Sequence, residues 1–191
     1  LPRSSGAQQS VEDHRADTPA AHSHAFYPDD MTTLTDAPLT MLDGRSTSFA
    51  EFAGKVVLVV NVASRCGLAP QYAALETLQK TYGDRGFTVL GVPSNQFLQE
   101  LSSEEKIAEY CSTTWGVTFP MTEKAKVNGK KRHPLYAELV QAPDEHGVAG
   151  PVTWNFEKFL VLPSGEVHRF RPNVKPDAPE IVALIEANLP H

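Results

Sequence analysis

The sequence predicts an α/β protein, a central mixed sheet with helices on both faces. Three observations carry this expectation. Val56 to Val60 is an unbroken apolar run, four of its five residues β-branched, as suits a strand buried on both faces. Phe87 to Val92 (FTVLGV) reads as a second buried strand, stopped by Pro93. Between them Tyr72, Leu75, Leu78 and Tyr82 recur at helical spacing.

Residues 1–30 differ from everything that follows. Small and polar residues dominate, and Glu12, Asp13, Asp17, Asp29 and Asp30 outnumber Arg3 and Arg15. Such a segment buries too little apolar surface to offset its ordering entropy, so a disordered N-terminal extension is expected. Nothing fixes a geometry for His14, His22 and His24, which read as scattered side chains of a tail rather than metal ligands. Met31 offers an alternative start directly before the patterned sequence.

From Leu39 the pattern is globular. LTMLDGRSTSF reads as a hairpin turning at Asp43-Gly44, and Phe49 to Phe52 as a short helical turn. The central strand follows, then a helix over 69–83 that ends near Gly83 and Gly86. After the second strand, Ser102 or Ser103 caps a helix running through Ile107 to about Cys111, with Glu104 and Glu105 in its first turn. Val117 to Phe119 reads as a short strand before Pro120, and HPLYAELV, from His133, as a short helix. Gln141 to Val152 is a loop. Phe156 to Leu162 and Val167 to Phe170 form a hairpin around Pro163-Ser164-Gly165, and a last helix spans about Ala178 to Asn188. This order is that of the thioredoxin fold, so residues 31–191 are expected to form one thioredoxin-like domain.

Composition narrows the function. At 191 residues and 41% hydrophobic, the chain can bury a core of its own. A net charge of −6 argues against nucleic acid as a partner. No stretch approaches the roughly 18 apolar residues that span a bilayer, so no membrane role is expected. Two cysteines are too few for a disulfide framework and cannot alone close a zinc site. They suit a reducing compartment, and a cytoplasmic location is expected.

Cys66 stands at the turn between the central strand and the first long helix. Backbone N–H groups and the helix dipole favour a thiolate there, although a lone cysteine after a strand can equally be inert. Three neighbouring patterns bear on the choice: NVASRCG at 61–67, PSNQF at 93–97 with Gln99 close behind, and WNFEKFLV at 154–161. Together, over about Leu34 to Leu189, they resemble the glutathione peroxidase family in its cysteine-containing, non-selenium form. The resemblance implies a thiol-dependent peroxidase acting on hydrogen peroxide and organic hydroperoxides, with no cofactor. It places the family's catalytic group on Cys66, Gln99, Trp154 and Asn155. Taken singly, Trp154 reads equally as a core aromatic, Asn155 as a turn cap and Gln99 as an exposed loop residue. The sequence departs from the family pattern at one point. Phe97-Leu98-Gln99-Glu100 is one residue shorter than usual, and Leu101-Ser102 replaces the usual Pro-Gly.

The residue types fit the chemistry. A thiolate attacks a peroxide oxygen, and neutral donors such as Gln, Trp and Asn can hold the thiolate and the departing oxygen. The product is a sulfenic acid, which another thiol must reduce. The resemblance makes Cys111 a candidate resolving cysteine, one place before the usual position, which here is Ser112; thioredoxin or a low-molecular-weight thiol is then the reductant. The loop from Gln141 to Thr153 lacks the insertion that builds tetramers in animal-type relatives, so a monomer is expected.

Rival chemistries fit less well. The position three after Cys66 is Ala69, so a C-x-x-C disulfide oxidoreductase is excluded. Ala63 stands where a peroxiredoxin usually has Thr or Ser, and these motifs hold no histidine for a cysteine hydrolase. A peroxide sensor that passes its oxidation to a partner would use the same residues, and it stays open as the alternative.

Overall fold

The computed structural model describes residues 34–191, so the expected extension 1–30, its three histidines and Met31 lie outside the described residues. The main sheet has four strands, in the order β4 (Phe87–Pro93), β3 (Val56–Val62), β5 (Lys158–Val161) and β6 (Val167–Phe170). β3 (Val56–Val62) runs parallel to β4 (Phe87–Pro93), with Val56 opposite Phe87 and Val62 opposite Pro93. On its other side β3 pairs antiparallel with β5 (Lys158–Val161), which turns back into β6 (Val167–Phe170). Every residue of β3 and β4 is buried, as suits largely apolar strands covered on both faces.

Alternation along β3 builds two cores. Val56, Leu58, Val60 and Val62 face α1 (Gln71–Tyr82), α2 (Glu104–Trp115) and α4 (Pro179–Asn188), meeting Tyr72, Leu75, Ile107, Ile181 and Ile185. Val57 and Val59 face the hairpin β1 (Pro38–Thr40) and β2 (Ser46–Ser48), the 3-10 turn Phe49–Phe52, and α3 (Pro134–Leu139). Each Val or Leu so buried contributes about 1.5–3 kcal/mol, an upper figure taken against an extended chain. The fold is thus the expected thioredoxin-like α/β sheet covered on both faces. Among the described residues no helix is long and apolar enough to cross a membrane.

The hairpin turns where Asp43-Gly44 predicts: Gly44 has φ +86°, and the Asp43 carboxylate accepts the Arg45 N–H at 3.0 Å. The helix after β4 is capped by Ser103, whose hydroxyl accepts the Lys106 N–H at 3.4 Å.

Two expectations are corrected here. α2 does not end near Cys111 but continues to Trp115, and Gly116 (φ +62°) closes it. The Gly116 and Val117 amides return to the carbonyls of Ser112 and Cys111, both at 3.1 Å. Residues 117–119 are therefore not a strand. The Val117 amide is committed to the helix end, and both the amide and hydroxyl of Thr118 donate to the Glu76 carboxylate at 2.8 and 2.6 Å. Ladder contacts resume only as isolated bridges at Met121 and Thr122.

Sheet direction sets where a site can form. β3 and β4 are parallel, so Val62 and Pro93 leave the sheet at one edge. β5 is antiparallel to β3 with Lys158 opposite Val60, so the residues just before it reach the same edge. Residues 64–67, 94–101 and 153–157 converge there.

Candidate active site

The Cys66 turn hangs on the loop after β4. The Ser64 N–H donates to Oε1 of Glu100 at 3.0 Å, and the Arg65 N–H donates to the Gln99 carbonyl at 2.8 Å. Cys66 itself is 5% exposed and unpaired. The Leu68 N–H reaches its Sγ at 3.4 Å, the one hydrogen bond the sulfur receives among the described residues. α1 starts only at Gln71, so a turn amide serves the sulfur where the helix start was expected to.

The loop from Ser94 to Leu101 turns through one left-handed residue. Leu98 adopts φ +60°, a left-handed conformation rare for a bulky side chain, and is 85% exposed. The Leu98 amide donates to the Asn95 carbonyl at 3.0 Å, and the Glu100 amide to Oδ1 of Asn95 at 3.1 Å. Leu98 is thereby turned outward, while Gln99 lies at the sheet edge with the Cys66 turn. Gln96 fixes the other side of the loop, its Oε1 accepting the amides of Val127 and Asn128 at 2.6 and 2.5 Å.

Trp154 and Asn155 are held from β3 by Asn61. Nδ2 of Asn61 donates to the Trp154 carbonyl at 3.0 Å, and the Asn61 carbonyl accepts the Phe156 N–H at 2.6 Å. Phe156 between these clamps has φ +64°. Asn155, fully buried, donates from Nδ2 to Oε1 of Gln99 at 2.9 Å. Trp154 is 41% exposed, and its ring lies against Phe97, centroids 5.1 Å apart. The structure therefore joins Gln99 to Asn155 directly, and Gln99 to the Cys66 turn through its backbone. It shows no hydrogen bond from Gln99, Trp154 or Asn155 to the sulfur.

A buried ionic hub steadies the approach to Trp154. Oε1 of Glu157 receives Arg169 at 2.5 Å and Arg171 at 2.7 Å, and Oε2 receives the Thr153 N–H at 2.8 Å. Arg169 also donates to the carbonyls of Gly150 and Pro151 at 2.8 and 2.9 Å. Arg171 pairs with Asp144 at 2.7 Å. The Val148 amide and then Arg171 lower the Asp144 pKa to about 2.

Cys111 lies in the interior of α2, 2% exposed, with four helical residues beyond it. Burial pushes its thiol pKa up to about 11; the Tyr72 hydroxyl beside it opposes the rise and the Glu100 charge adds to it. Both cysteines are free and share the core under α1 and α2. A groove of about 320 Å³ between the hairpin and the end of α2 has Cys111 and Ser112 in its lining.

Sequence reasoning missed the supporting residues. Asn61 bonds the Trp154 backbone, Glu100 the Ser64 amide, Lys158 the Phe156 carbonyl and Arg169 the Gly150 carbonyl, and all four are buried polar groups. A polar residue inside an apolar strand is the signal that marks Asn61 and Lys158. Burial raises the Glu100 pKa, and the hydrogen bonds from Ser64 and Leu101 pull it back.

Comparison with known proteins points to one family. The glutathione peroxidase family model matches residues 35–140. The thioredoxin/glutathione peroxidase BtuE of Escherichia coli K12 is 48% identical over 169 residues, covering 78% of this chain and 92% of that one. A hydroperoxy fatty acid reductase of Synechocystis is 47% identical over 152 residues, covering 76% and 89%. The crystal structure of Trgpx in apo form superposes with a TM-score of 0.62 at 35% identity, covering 83% of this chain and 99% of that chain.

Proposed function

The chain belongs to the glutathione peroxidase family and is a thiol peroxidase, and from that premise we propose that Cys66 is its peroxidatic residue. Gln99, Trp154 and Asn155 are its polar partners. The supporting observation is the Asn155–Gln99 hydrogen bond at 2.9 Å, made beside a cysteine turn that Gln99 also holds. With its Oε1 occupied by Asn155, Gln99 offers its Nε2 hydrogens to an incoming peroxide.

The thiolate of Cys66 attacks one peroxide oxygen as the O–O bond breaks. That oxygen stays on sulfur as a sulfenic acid, and the other leaves as water or alcohol after taking a proton. A reducing thiol then displaces water to form a disulfide with Cys66, and a second thiol frees Cys66. The half-exposed Trp154 and Phe97 leave room for organic hydroperoxides beside hydrogen peroxide. The name of the Synechocystis relative points the same way.

For the reductant we propose thioredoxin or a low-molecular-weight thiol, with Cys111 resolving if the last turn of α2 unwinds to bring the two Cα atoms within about 7 Å. A monomer in a reducing, cytoplasmic setting completes the reading. Turnover of wild type, Cys66→Ser and Cys111→Ser with thioredoxin and with glutathione tests it. Cys66→Ser is expected to be inactive with both donors. Retained activity there would overturn the peroxidatic assignment, and full thioredoxin-dependent turnover by Cys111→Ser would overturn the resolving one. Stoichiometric oxidation that ends in a mixed disulfide with one protein would identify a sensor instead.

A further inference from the structure

Lys158 is fully buried in β5, and among the described residues no carboxylate lies within ion-pair distance of it. It stands opposite Val60 and so shares the face covered by α1, while the neighbouring Glu157 is committed to Arg169 and Arg171. An ammonium in such a place loses its hydration without an ion-pair partner in contact, and burial lowers its pKa to about 7, the neighbouring Glu157 charge opposing the fall. A methionine would fill similar space without that cost.

What Lys158 holds is specific. Nζ donates to the Phe156 carbonyl at 2.6 Å and to the Pro172 carbonyl at 3.1 Å. Phe156 is the left-handed residue whose N–H is fixed on Asn61, so the two polar groups of this one residue are pinned from opposite sides. Asn155 precedes it directly, and its side chain direction follows from that backbone. The Pro172 carbonyl also accepts Nε2 of Gln71 at 3.0 Å, and Gln71 opens the helix that follows Cys66. One ammonium thus connects the Asn155 turn to the segment that also fastens the Cys66 helix.

We infer that Lys158 is a positioning residue for the peroxidase reaction: by holding the Phe156 carbonyl it fixes the left-handed turn that aims Asn155 at Gln99. The inference rests on the reading of Cys66 and Asn155 as site residues. It separates two effects that a purely structural lysine would keep together. Removing the charge relieves a buried cation, and it also frees the turn.

The test uses Lys158→Met, Asn155→Ala and the double variant, comparing single-turnover oxidation of Cys66 by hydrogen peroxide with the thermal midpoint. Lys158→Met is expected to slow oxidation about tenfold to a hundredfold, since a misplacement near 1 Å costs that much. Its thermal midpoint stays at or above wild type. The double variant is no slower than Asn155→Ala, because the two residues act through one turn. A wild-type rate in Lys158→Met, a rate that falls in step with the midpoint, or losses that multiply in the double variant would each overturn the inference. A wild-type rate in Asn155→Ala would sink the site reading itself. Should Lys158→Met not fold, Lys158→Leu, which likewise carries no donor for the Phe156 carbonyl, is judged by the same comparisons.

Discussion

Cys66 and Cys111 share one core and are almost equally hidden, 5% and 2% exposed, yet their settings oppose each other. Cys66 sits in a turn where an amide points at its sulfur. Cys111 sits inside a helix, and its surroundings hold the thiol neutral. Exposure does not separate them. Backbone conformation does, because a turn has N–H groups free to receive an anion and a helix interior has spent its own.

Removing a polar partner tests the Cys66 side of this contrast most severely. Gln99→Ala keeps the backbone bond to Arg65 but strips the side chain from Asn155. The rate constant for peroxide reduction is expected to fall about a hundredfold, the usual cost of losing one preorganised donor. Stopped-flow oxidation kinetics would measure it. A near-wild-type rate would mean that the turn amide alone activates the sulfur.

Reactivity of the second thiol tests the other side. The Cys111 thiol pKa is raised in the fold to about 11 from the usual 9, so its protonated form contributes stability that is fully present below pH 9. That contribution is lost as pH rises from 9 through 11, and Cys111→Ala should flatten this part of the stability curve. Iodoacetamide mapping at neutral pH should label Cys66 and spare Cys111. Equal labelling would abolish the distinction.

The smallest effect concerns the loop that holds the Cys66 turn. Leu98 is left-handed and outward-facing. Leu98→Gly removes the backbone strain at some cost in unfolded-state entropy, for a net gain of about 0.5 kcal/mol by denaturant titration. Peroxidase activity should not change. A lost activity would show that the leucine side chain takes part in the site.

Much of this was legible in the residues. Val56 to Val60 and Phe87 to Val92 announce buried strands because short, β-branched and largely apolar stretches have few other uses. The run of α2 past Cys111 was hidden by Thr113 and Thr114, which favour strands; Thr113 is accommodated by its hydroxyl donating to the Glu109 carbonyl at 2.7 Å. Cys66, Gln99, Trp154 and Asn155 were readable as motifs. What holds them was not, because a bond such as Asn61 to Trp154 spans 93 positions and no local pattern announces it.

Asn61 has a consequence for refolding. It is a rung of the sheet, opposite Val92, and also the clamp on Trp154 and Phe156. A strand that slips by one residue sends each side chain to the other face. Such a slipped chain would keep its helices and much of its far-ultraviolet dichroism while losing the clamp. Recovered turnover therefore reports correct strand register, and the ratio of activity to dichroism in a refolded batch measures the fraction that found it.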